Sequence, residues 1–378
     1  MHTIKLLVPD LPAADSLLPW LRRIDAARCY TNFGPLVHEL EETLASQWPV
    51  APPAGADDLP PLQVVTLNTG TAPLELGIAA LGLRQGGDVL LPALNFPALA
   101  AAVLRNGLRP VFADVAPDSW QLTPALAREA ANRRPLALVM PVATFGCPLD
   151  VVAWDAFVED TGIPVLLDAA AAFGNQAVGR RVPVSFSLHA TKPFGIGEGG
   201  LLVTRDAALA ARVRRLSNFG LEQGQALAVG TNAKLSEYAA AVGLAQWARW
   251  PDGQAERRIQ WTRYRAGLAG LPGVGLQVGF EAVALPAPVV LRLPCAAEGA
   301  AAALARSGIE TRRWYFPPLH QHSAFAAYPV SGPADTAVLP VTDQLAKHNL
   351  GLPWHSLLQE DDIVLIVQTL YALLKELR

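Results

Sequence analysis

The sequence predicts an α/β fold built around a mainly parallel sheet, and three observations support this prediction. Between residues 64 and 204, seven short apolar runs follow one another along the chain. Segments with helical periodicity separate the early runs, which is the pattern of βαβ units. The runs are apolar throughout rather than alternating, as expected for strands that helices cover on both faces.

The elements can be assigned in chain order. The predicted strands read VVTLN, DVLLPAL, RPVFADV, LALVMPV, PVLLDAA, PVSFSL and GLLVT. Helices are predicted for APLELGIAALGL and PALAAAVLRNG, for one or two segments within 234–271, and for the final stretch DDIVLIVQTLYALLKELR. The proline-rich segment Pro49–Leu62 predicts a surface loop before the sheet. We expect a large domain over residues 1–255 and a smaller α+β domain over 256–378.

Composition excludes several classes of protein. The chain has 378 residues, of which 51% are hydrophobic and 17% charged, and this balance is typical of a globular protein. A net charge of -3 without a basic run gives no electrostatic reason to bind nucleic acid or a membrane surface. Three dispersed cysteines indicate neither a zinc knuckle nor a disulfide framework. With no signal-like start and no apolar run long enough to cross a bilayer, we expect a soluble cytoplasmic protein.

The stretch SLHATKPFGIGEGG, Ser187–Gly200, has two competing interpretations. Gly195, Gly197 and Gly200 match a dinucleotide-binding turn, but that motif requires a helix after it, and here a strand is predicted. A P-loop is excluded because its sequence pattern is absent. Lys192 is then either a solvated loop residue or a Schiff-base lysine that anchors a carbonyl cofactor.

Pyridoxal phosphate (PLP) would need an anion beside its ring nitrogen, a phosphate cradle and a stacking face. Asp168, at the end of a predicted strand, is the candidate anion, although it could instead cap a following helix. Gly70 and Thr71 precede a predicted helix whose amino end suits a phosphate, or else form an ordinary cap. Ser187 is a second phosphate candidate. Phe96 is the stacking candidate, with a core position as the alternative.

Considered together, these features resemble the DegT/DnrJ/EryC1/StrS family of PLP-dependent sugar aminotransferases. That family has the type I PLP-transferase fold of aspartate aminotransferase, with a seven-stranded sheet. The resemblance covers most of the chain and is carried by YTNFGPLVHELEETLA, the segment from NTGTAPLELG to VFADV, SLHATKPFGIGEGG, GTNAKLSEYAAAVGLAQ and RRWYFPPLHQHSAF.

The resemblance implies roles for the residues around the cofactor ring. Lys192 would hold PLP covalently, Asp168 would hold the pyridinium nitrogen, and Phe96 would cover one face of the ring. The chain departs from the family pattern beside the aspartate. Ala171 stands where a glutamine is usual, and Leu167 stands where an acid is usual.

The resemblance also implies how the phosphate would be bound. Gly70, Thr71 and Ser187 would bind it within one subunit. Asn232 would reach it from the neighbouring subunit, which implies a homodimer with shared active sites.

Four further residues are predicted to contact substrate: His189, Trp314, Tyr315 and His320. Some members of the family that dehydrate sugars have a histidine at the anchor position, but here the lysine is present, which favours amino transfer. His320 and His322 have no carboxylate or third ligand nearby, so we predict no metal site.

The implied activity is transfer of an amino group, by resemblance from glutamate, to a nucleotide-linked keto sugar. Two alternatives stay open from the sequence. One is a non-catalytic or regulatory protein that keeps the PLP fold, which the substitution at Ala171 favours. The other is a PLP-dependent sugar dehydratase.

Overall fold

A computed structural model describes residues 3–53, 58–280, 283, 285–332 and 337–376. The α-helices are α1 (Ala14–Ala27), α2 (Pro35–Ser46), α3 (Ala72–Ala80), α4 (Pro97–Arg105), α5 (Pro124–Ala131), α6 (Val151–Thr161), α7 (Ala207–Leu216), α8 (Glu237–Ala248), α9 (Trp250–Leu268), α10 (Ala297–Arg306), α11 (Pro340–His348) and α12 (Glu360–Glu376). The strands are β1 (Gln63–Leu67), β2 (Asp88–Pro92), β3 (Arg109–Ala113), β4 (Leu138–Val139), β5 (Leu167–Asp168), β6 (Val184–Ser187), β7 (Gly200–Thr204), β8 (Leu221–Glu222), β9 (Gln225–Ala226), β10 (Val289–Arg292), β11 (Val330–Ser331) and β12 (Asn349–Leu352).

The central sheet has the order β1-β7-β6-β5-β4-β2-β3-β11. Hydrogen-bonded ladders define β1-β7-β6-β5 and β11-β3-β2-β4, and parallel bridges from Val139 to Val165 and from Val142 to Asp168 join the two groups. Strand β7 is antiparallel to β1 and β6, whereas the other pairs are parallel. The predicted α/β fold with a mainly parallel seven-stranded sheet is therefore confirmed. The C-terminal part of the chain supplies β11, an eighth strand of this sheet that the sequence did not predict.

Helices cover both faces of this sheet because neighbouring strand residues point to opposite sides. Val64 and Leu90 belong to the core beneath α2, α6 and α8, whereas Val65 and Leu91 belong to the core beneath α3, α4 and α7. All four side chains are almost inaccessible to solvent. Burial of each such side chain contributes about 1.5–3 kcal/mol relative to its exposed state. This two-sided burial explains why the strand sequences are apolar throughout.

A third apolar core lies in the C-terminal part. The antiparallel pair β10-β12 packs there with α9, α10 and α12. Ile4 joins this core and pairs with Ile309, so the N-terminal segment runs onto the C-terminal part. The predicted division between residues 255 and 256 falls inside α9, and we keep the two-domain division as a proposal.

The predicted helices and loops agree with the structure. The segment 234–271 forms two helices, α8 and α9, with Pro251 in the first turn of α9. Of the predicted loop Pro49–Leu62, residues 54–57 lie outside the described part, and the remainder has neither helix nor strand. Within the described residues, no helix is long and apolar enough to cross a membrane. The same residues contain no group of three or more histidine, cysteine or acidic side chains that could hold a metal ion.

The glycine-rich turn has a structural cause. Gly197 has a φ of +102°, a conformation that glycine adopts without strain. A Cβ atom at Gly200 would lie 2.2 Å from the carbonyl oxygen of Thr69, so only glycine lets these two segments meet. Strand β7, not a helix, begins at Gly200. The turn is therefore not a dinucleotide-binding motif, and it holds the lysine segment against the segment after β1.

Candidate active site

A cavity of about 610 Å³ opens at the carboxyl ends of the parallel strands, where open α/β sheets bind ligands. Residues after β1, β2, β4, β5 and β6 form one wall of this cavity. The opposite wall is formed by residues 354–356 together with Arg312, Trp314 and Tyr315, and the N-terminal segment contributes Leu7, Val8 and Asp10. The predicted site residues that line the cavity are Gly70, Thr71, Phe96, Asp168, Ser187, His189, Lys192, Trp314 and Tyr315.

Lys192 lies in the turn after β6. Its backbone N–H donates to the carbonyl oxygen of His189 at 2.8 Å, and its side chain lines the cavity. Burial lowers the pKa of the Lys192 amine, whereas the nearby Asp168 carboxylate acts in the opposite direction. The side chain is partly buried rather than solvated. A desolvated amine of this kind can act as a nucleophile or a base.

Asp168 ends strand β5 and is only 6% exposed. One carboxylate oxygen accepts a hydrogen bond from the backbone N–H of Ala170 at 2.9 Å. Burial raises the pKa of Asp168, while this hydrogen bond and Lys192 lower it. The residues that follow form turns and no helix, so the alternative in which Asp168 caps a helix is wrong. A buried carboxylate is stable as an ion only beside a cation, and a ring pyridinium is such a group.

The segment between β1 and α3 lies against the end of β6. A Cβ atom at Gly70 would lie 2.5 Å from the Ser187 hydroxyl oxygen, so glycine is needed for this approach. Thr71 occupies the position before α3, but its side chain makes no capping hydrogen bond. Thr69 instead accepts from the backbone N–H of Ala72 at 3.2 Å. The Thr71 and Ser187 hydroxyls therefore line a cavity at a helix amino end, an arrangement that suits a phosphate.

Phe96 immediately precedes α4 and is 51% exposed, with its ring on the cavity. The alternative of a core position is therefore wrong, and a ring face is available for stacking. Its neighbour Asn95 also lines the cavity and is only 4% exposed. The Asn95 side-chain nitrogen has no hydrogen-bond partner among the described residues. Because buried polar groups are normally paired, this amide indicates an interaction with a ligand.

His189 lies at the edge of the cavity next to the lysine turn. Its Nδ1 accepts a hydrogen bond from the backbone N–H of Thr191 at 3.3 Å and lies 2.9 Å from the Thr191 hydroxyl. In the neutral ring the proton then resides on Nε2, which is 3.8 Å from Glu198.

Tyr315 and Trp314 occupy the opposite wall. The Tyr315 ring stacks on Phe145, with ring centroids 5.6 Å apart. Burial raises the pKa of the Tyr315 phenol above its usual range, and Asp168 adds to this effect. The phenol therefore stays protonated and can donate a hydrogen bond. The Arg312 guanidinium lies 4.2 Å from the centre of the Trp314 ring.

Two predicted residues do not reach this cavity. His320 Nε2 lies 3.2 Å from a carboxylate oxygen of Asp343 on α11, and His320 is absent from the cavity wall. His320 therefore does not line the cavity of its own chain, and its contact with substrate stays a prediction. Asn232 is exposed and its carbonyl oxygen accepts from the Asn68 amide at 3.4 Å. Asn232 does not line the cavity of its own chain.

Sequence reasoning missed several residues of the cavity. Asn95 precedes the predicted stacking residue, and its position at a strand end was the signal available. Arg312 begins the stretch RRWYF, and its charge beside two aromatic residues could have identified it. The N-terminal segment and residues 354–356 carry no local pattern, because tertiary packing alone brings them to the cavity.

The residues present fit PLP. Hydroxyls and helix amides suit a phosphate dianion, an exposed aromatic ring suits the pyridine face, and a buried carboxylate suits the ring nitrogen. Lys192 supplies the amine for an aldehyde. Ala171 also lines the cavity, and its methyl group offers no hydrogen bond there.

Comparison with known proteins agrees with this assignment. The model of the DegT/DnrJ/EryC1/StrS aminotransferase family matches residues 19–371. Protein Rv3402c of Mycobacterium tuberculosis is 32% identical over 96% of this chain and 88% of its own length. The dTDP-4-amino-4,6-dideoxy-D-glucose transaminase of Escherichia coli is 28% identical over 97% of this chain and 98% of its own. The crystal structure of DesI in the presence of its TDP-sugar product superposes with a TM-score of 0.87 at 31% identity, covering 100% of this chain and 94% of DesI.

Proposed function

The chain belongs to the DegT/DnrJ/EryC1/StrS aminotransferase family, and we propose that it transfers the amino group of glutamate to a nucleotide-linked keto sugar. It is a PLP-dependent aminotransferase, and pyridoxal 5'-phosphate is its cofactor. The observation that carries the proposal is the shared cavity of Lys192 and Asp168 at the strand ends. The nucleotide-sugar acceptor is supported by the E. coli transaminase and by DesI with its TDP-sugar product.

In the proposed reaction, the donor's α-carbon becomes a ketone as its nitrogen leaves. The same nitrogen then replaces the carbonyl oxygen of the acceptor. One water is consumed in the first half and one is released in the second, so the net change exchanges an amine for a ketone. When bound, PLP supplies an aldehyde that takes up the nitrogen and a ring that accepts electrons from the α-carbon.

Lys192 is proposed to move the proton of this reaction. Only a neutral amine can accept a proton from the donor's α-carbon, and burial favours the neutral form by lowering the pKa of Lys192. Asp168 is proposed to keep the proton on the ring nitrogen. The positive ring nitrogen stabilises the ionised form of the buried Asp168 carboxylate, and the carboxylate stabilises the protonated nitrogen in return.

Gly70, Thr71 and Ser187 are proposed to hold the phosphate, and Phe96 is proposed to cover one ring face. His189, Trp314 and Tyr315 are the proposed substrate contacts, since all three line the cavity.

A homodimer is the proposed assembly. Asn232 pairs with Asn218 in an antiparallel bridge, and the segment between them exposes the apolar side chains of Phe219, Leu227 and Val229 in the single chain, the last of which is 99% exposed. Contiguous exposed apolar residues are typical of an interaction surface. In such a dimer Asn232 would reach the phosphate of the partner's site. A cytoplasmic location remains a prediction.

The dimer is tested by mixing two inactive variants, Lys192→Ala and Asn232→Ala. If subunits share active sites, mixed dimers contain one site with both substitutions and one site with neither, and activity returns in the mixture. Mixing that restores no activity, in dimers shown to exchange subunits, would contradict the shared site.

The function is tested by the visible absorbance of the cofactor-loaded protein. We expect L-glutamate to remove the visible band and a keto-sugar nucleotide to restore it. Lys192→Ala should abolish this response, whereas Lys347→Ala, which removes an exposed lysine on α11, should retain it. A band that no amino donor alters would favour the non-catalytic alternative. Loss of water from the sugar without amino transfer would favour the dehydratase.

A further inference from the structure

Among the residues that the structure describes, the guanidinium of Arg312 lines the cavity without a bonding partner for its charge. Its backbone exchanges two hydrogen bonds with Gly351 of β12, at 2.7 and 3.1 Å, and these bonds fix the position of the Arg312 Cα atom. The guanidinium stacks on Trp314 and is exposed toward the cavity. Among the described residues, no carboxylate pairs with it and no oxygen accepts from it.

The other cations of the cavity already have roles. The Arg257 guanidinium donates to the carbonyl oxygen of Pro193 at 2.5 Å and supports the lysine turn. Lys192 is the proposed reacting amine. Arg312 is therefore the guanidinium of this cavity that the described part of the chain leaves available to a ligand.

The same wall carries more polar atoms without partners. Among the described residues, Trp314 Nε1, His355 Nδ1 and the Ser356 hydroxyl are buried and make no hydrogen bond. All three residues line the cavity. Arginine and the indole N–H can only donate, and serine can donate as well, so these three groups are complementary to a ligand rich in acceptor oxygens. His355 differs, because its Nε2 faces the carbonyl oxygen of Lys5 at 3.2 Å, which leaves Nδ1 of the neutral ring an acceptor. The planar guanidinium fork fits a carboxylate in particular.

The wall comes close to the strand ends that carry Asp168, since Tyr315 contacts a residue there. The Tyr315 ring stacks on Phe145, which follows strand β4, and Tyr315 interacts electrostatically with both Asp168 and Arg312. The carboxylate of an amino-acid donor is attached directly to the carbon that must reach Lys192. The diphosphate of a nucleotide sugar is separated from the reacting ketone by the sugar ring.

We infer that Arg312, positioned by Trp314, binds a carboxylate of the amino donor, with the Ser356 hydroxyl completing the subsite. This inference rests on the proposed aminotransferase function and adds the residues that select the donor. The diphosphate or an acidic group of the acceptor sugar presents similar oxyanion chemistry, and the experiment below separates these sources.

The test measures binding of glutarate, a dicarboxylate without an amino group, to the cofactor-loaded protein by calorimetry. Arg312→Ala should weaken glutarate binding about 10- to 100-fold, because that is the typical loss of affinity when hydrogen bonds to a charged group are removed. Arg312→Lys should give a smaller loss, because a point charge keeps attraction but loses the fork. The control is Arg313→Ala: this neighbour stacks on Phe316 at 3.5 Å and does not line the cavity, so binding should stay within about 2-fold.

A second arm measures binding of thymidine diphosphate to the same variants, and we expect Arg312→Ala to leave it unchanged. Four results would each overturn the inference. In the first three, Arg312→Ala leaves glutarate binding unchanged, loses only thymidine diphosphate binding, or loses binding of both probes equally. The fourth result is that the unmodified protein does not bind glutarate. The visible band and the melting temperature verify folding, and Arg312→Lys decides the question if the alanine variant does not fold. The subsite and the proposed function can also fail separately. If glutarate binding depends on Arg312 but glutamate does not change the visible absorbance band, the subsite is upheld and the proposed function is contradicted.

Discussion

The two walls of the cavity are built in different ways. The sheet wall consists of residues at the ends of β1, β2, β4, β5 and β6, where the direction and register of the strands fix each side chain. The opposite wall consists of Arg312, Trp314, Tyr315 and residues 354–356, which lie beside β12 in the C-terminal part. The sheet wall offers the groups that a cofactor needs, and the opposite wall offers donors for a substrate. The comparison indicates that cofactor binding and substrate choice are carried by separate parts of the chain.

The largest effect is expected on the sheet wall, at Asp168. Asp168→Asn keeps the shape but removes the negative charge that would hold a proton on the ring nitrogen. We expect kcat to fall about 10²- to 10⁴-fold, the range of a lost proton-transfer contribution. Steady-state kinetics measure this, and Asp160→Asn, at an exposed ion pair with Arg128, is the matched control. Near-normal kcat in Asp168→Asn would remove the distinction between the walls.

The next effect concerns the cofactor cradle. Gly70→Ala would place a methyl group 2.5 Å from the Ser187 hydroxyl, so one of the two segments must move. We expect the Kd for PLP to rise about 10-fold or more, since overpacking costs about 1–3 kcal/mol. Equilibrium titration of the cofactor-free protein measures the change. Gly253→Ala on α9, where an added methyl group meets no atom within 4 Å, should have no effect on cofactor affinity.

A smaller effect is expected on the opposite wall. Tyr315→Phe removes a protonated hydroxyl and retains the stacking on Phe145. We expect KM for a substrate to rise about 2- to 10-fold, because the loss of one hydrogen bond typically weakens binding by that factor. The Kd for PLP should not change. Tyr371→Phe, on the exposed face of α12, is the control. A fall in cofactor affinity without a change in KM would assign Tyr315 to the cofactor instead.

The smallest effect is a change in stability with pH in the cofactor-free protein. Burial raises the pKa of Asp168, so the folded state binds a proton more tightly than the unfolded state does. Stability from this group is present below the unfolded pKa and is lost as pH rises through the higher folded value. Asp168→Asn should therefore raise the melting temperature by about a few degrees at pH 7 and by less at pH 4. Thermal melts at both pH values measure this, and an equal shift at both would contradict the raised pKa.

The sequence was informative where function depends on local order along the chain. Strand ends are recognisable from apolar runs, so the amino-acid sequence alone could place Asp168, Ser187 and Lys192 at one edge of the sheet. Phe96 could be placed by the same reasoning, because it lies between a strand and a helix.

The remainder depends on contacts between distant segments. His320 and Trp314 are six residues apart, yet His320 lies beside Asp343 and outside the cavity wall, whereas Trp314 lies against Gly351 and lines the cavity. Strand β11 was missed because its two residues carry no strand pattern and gain their place only by pairing with β3. No periodicity in the sequence predicts such pairings.

The central claim is that Lys192 holds the cofactor, and chemical reduction of the loaded protein tests it most directly. Borohydride fixes a lysine–cofactor link, and peptide mapping by mass spectrometry then identifies the modified residue. Lys234 is a strong internal comparison, because it is also buried and burial lowers its pKa, yet it donates to Asn218 at 2.8 Å and lies outside the cavity wall. We predict modification of the peptide that contains Lys192, and modification at Lys234 or at no lysine would contradict the account.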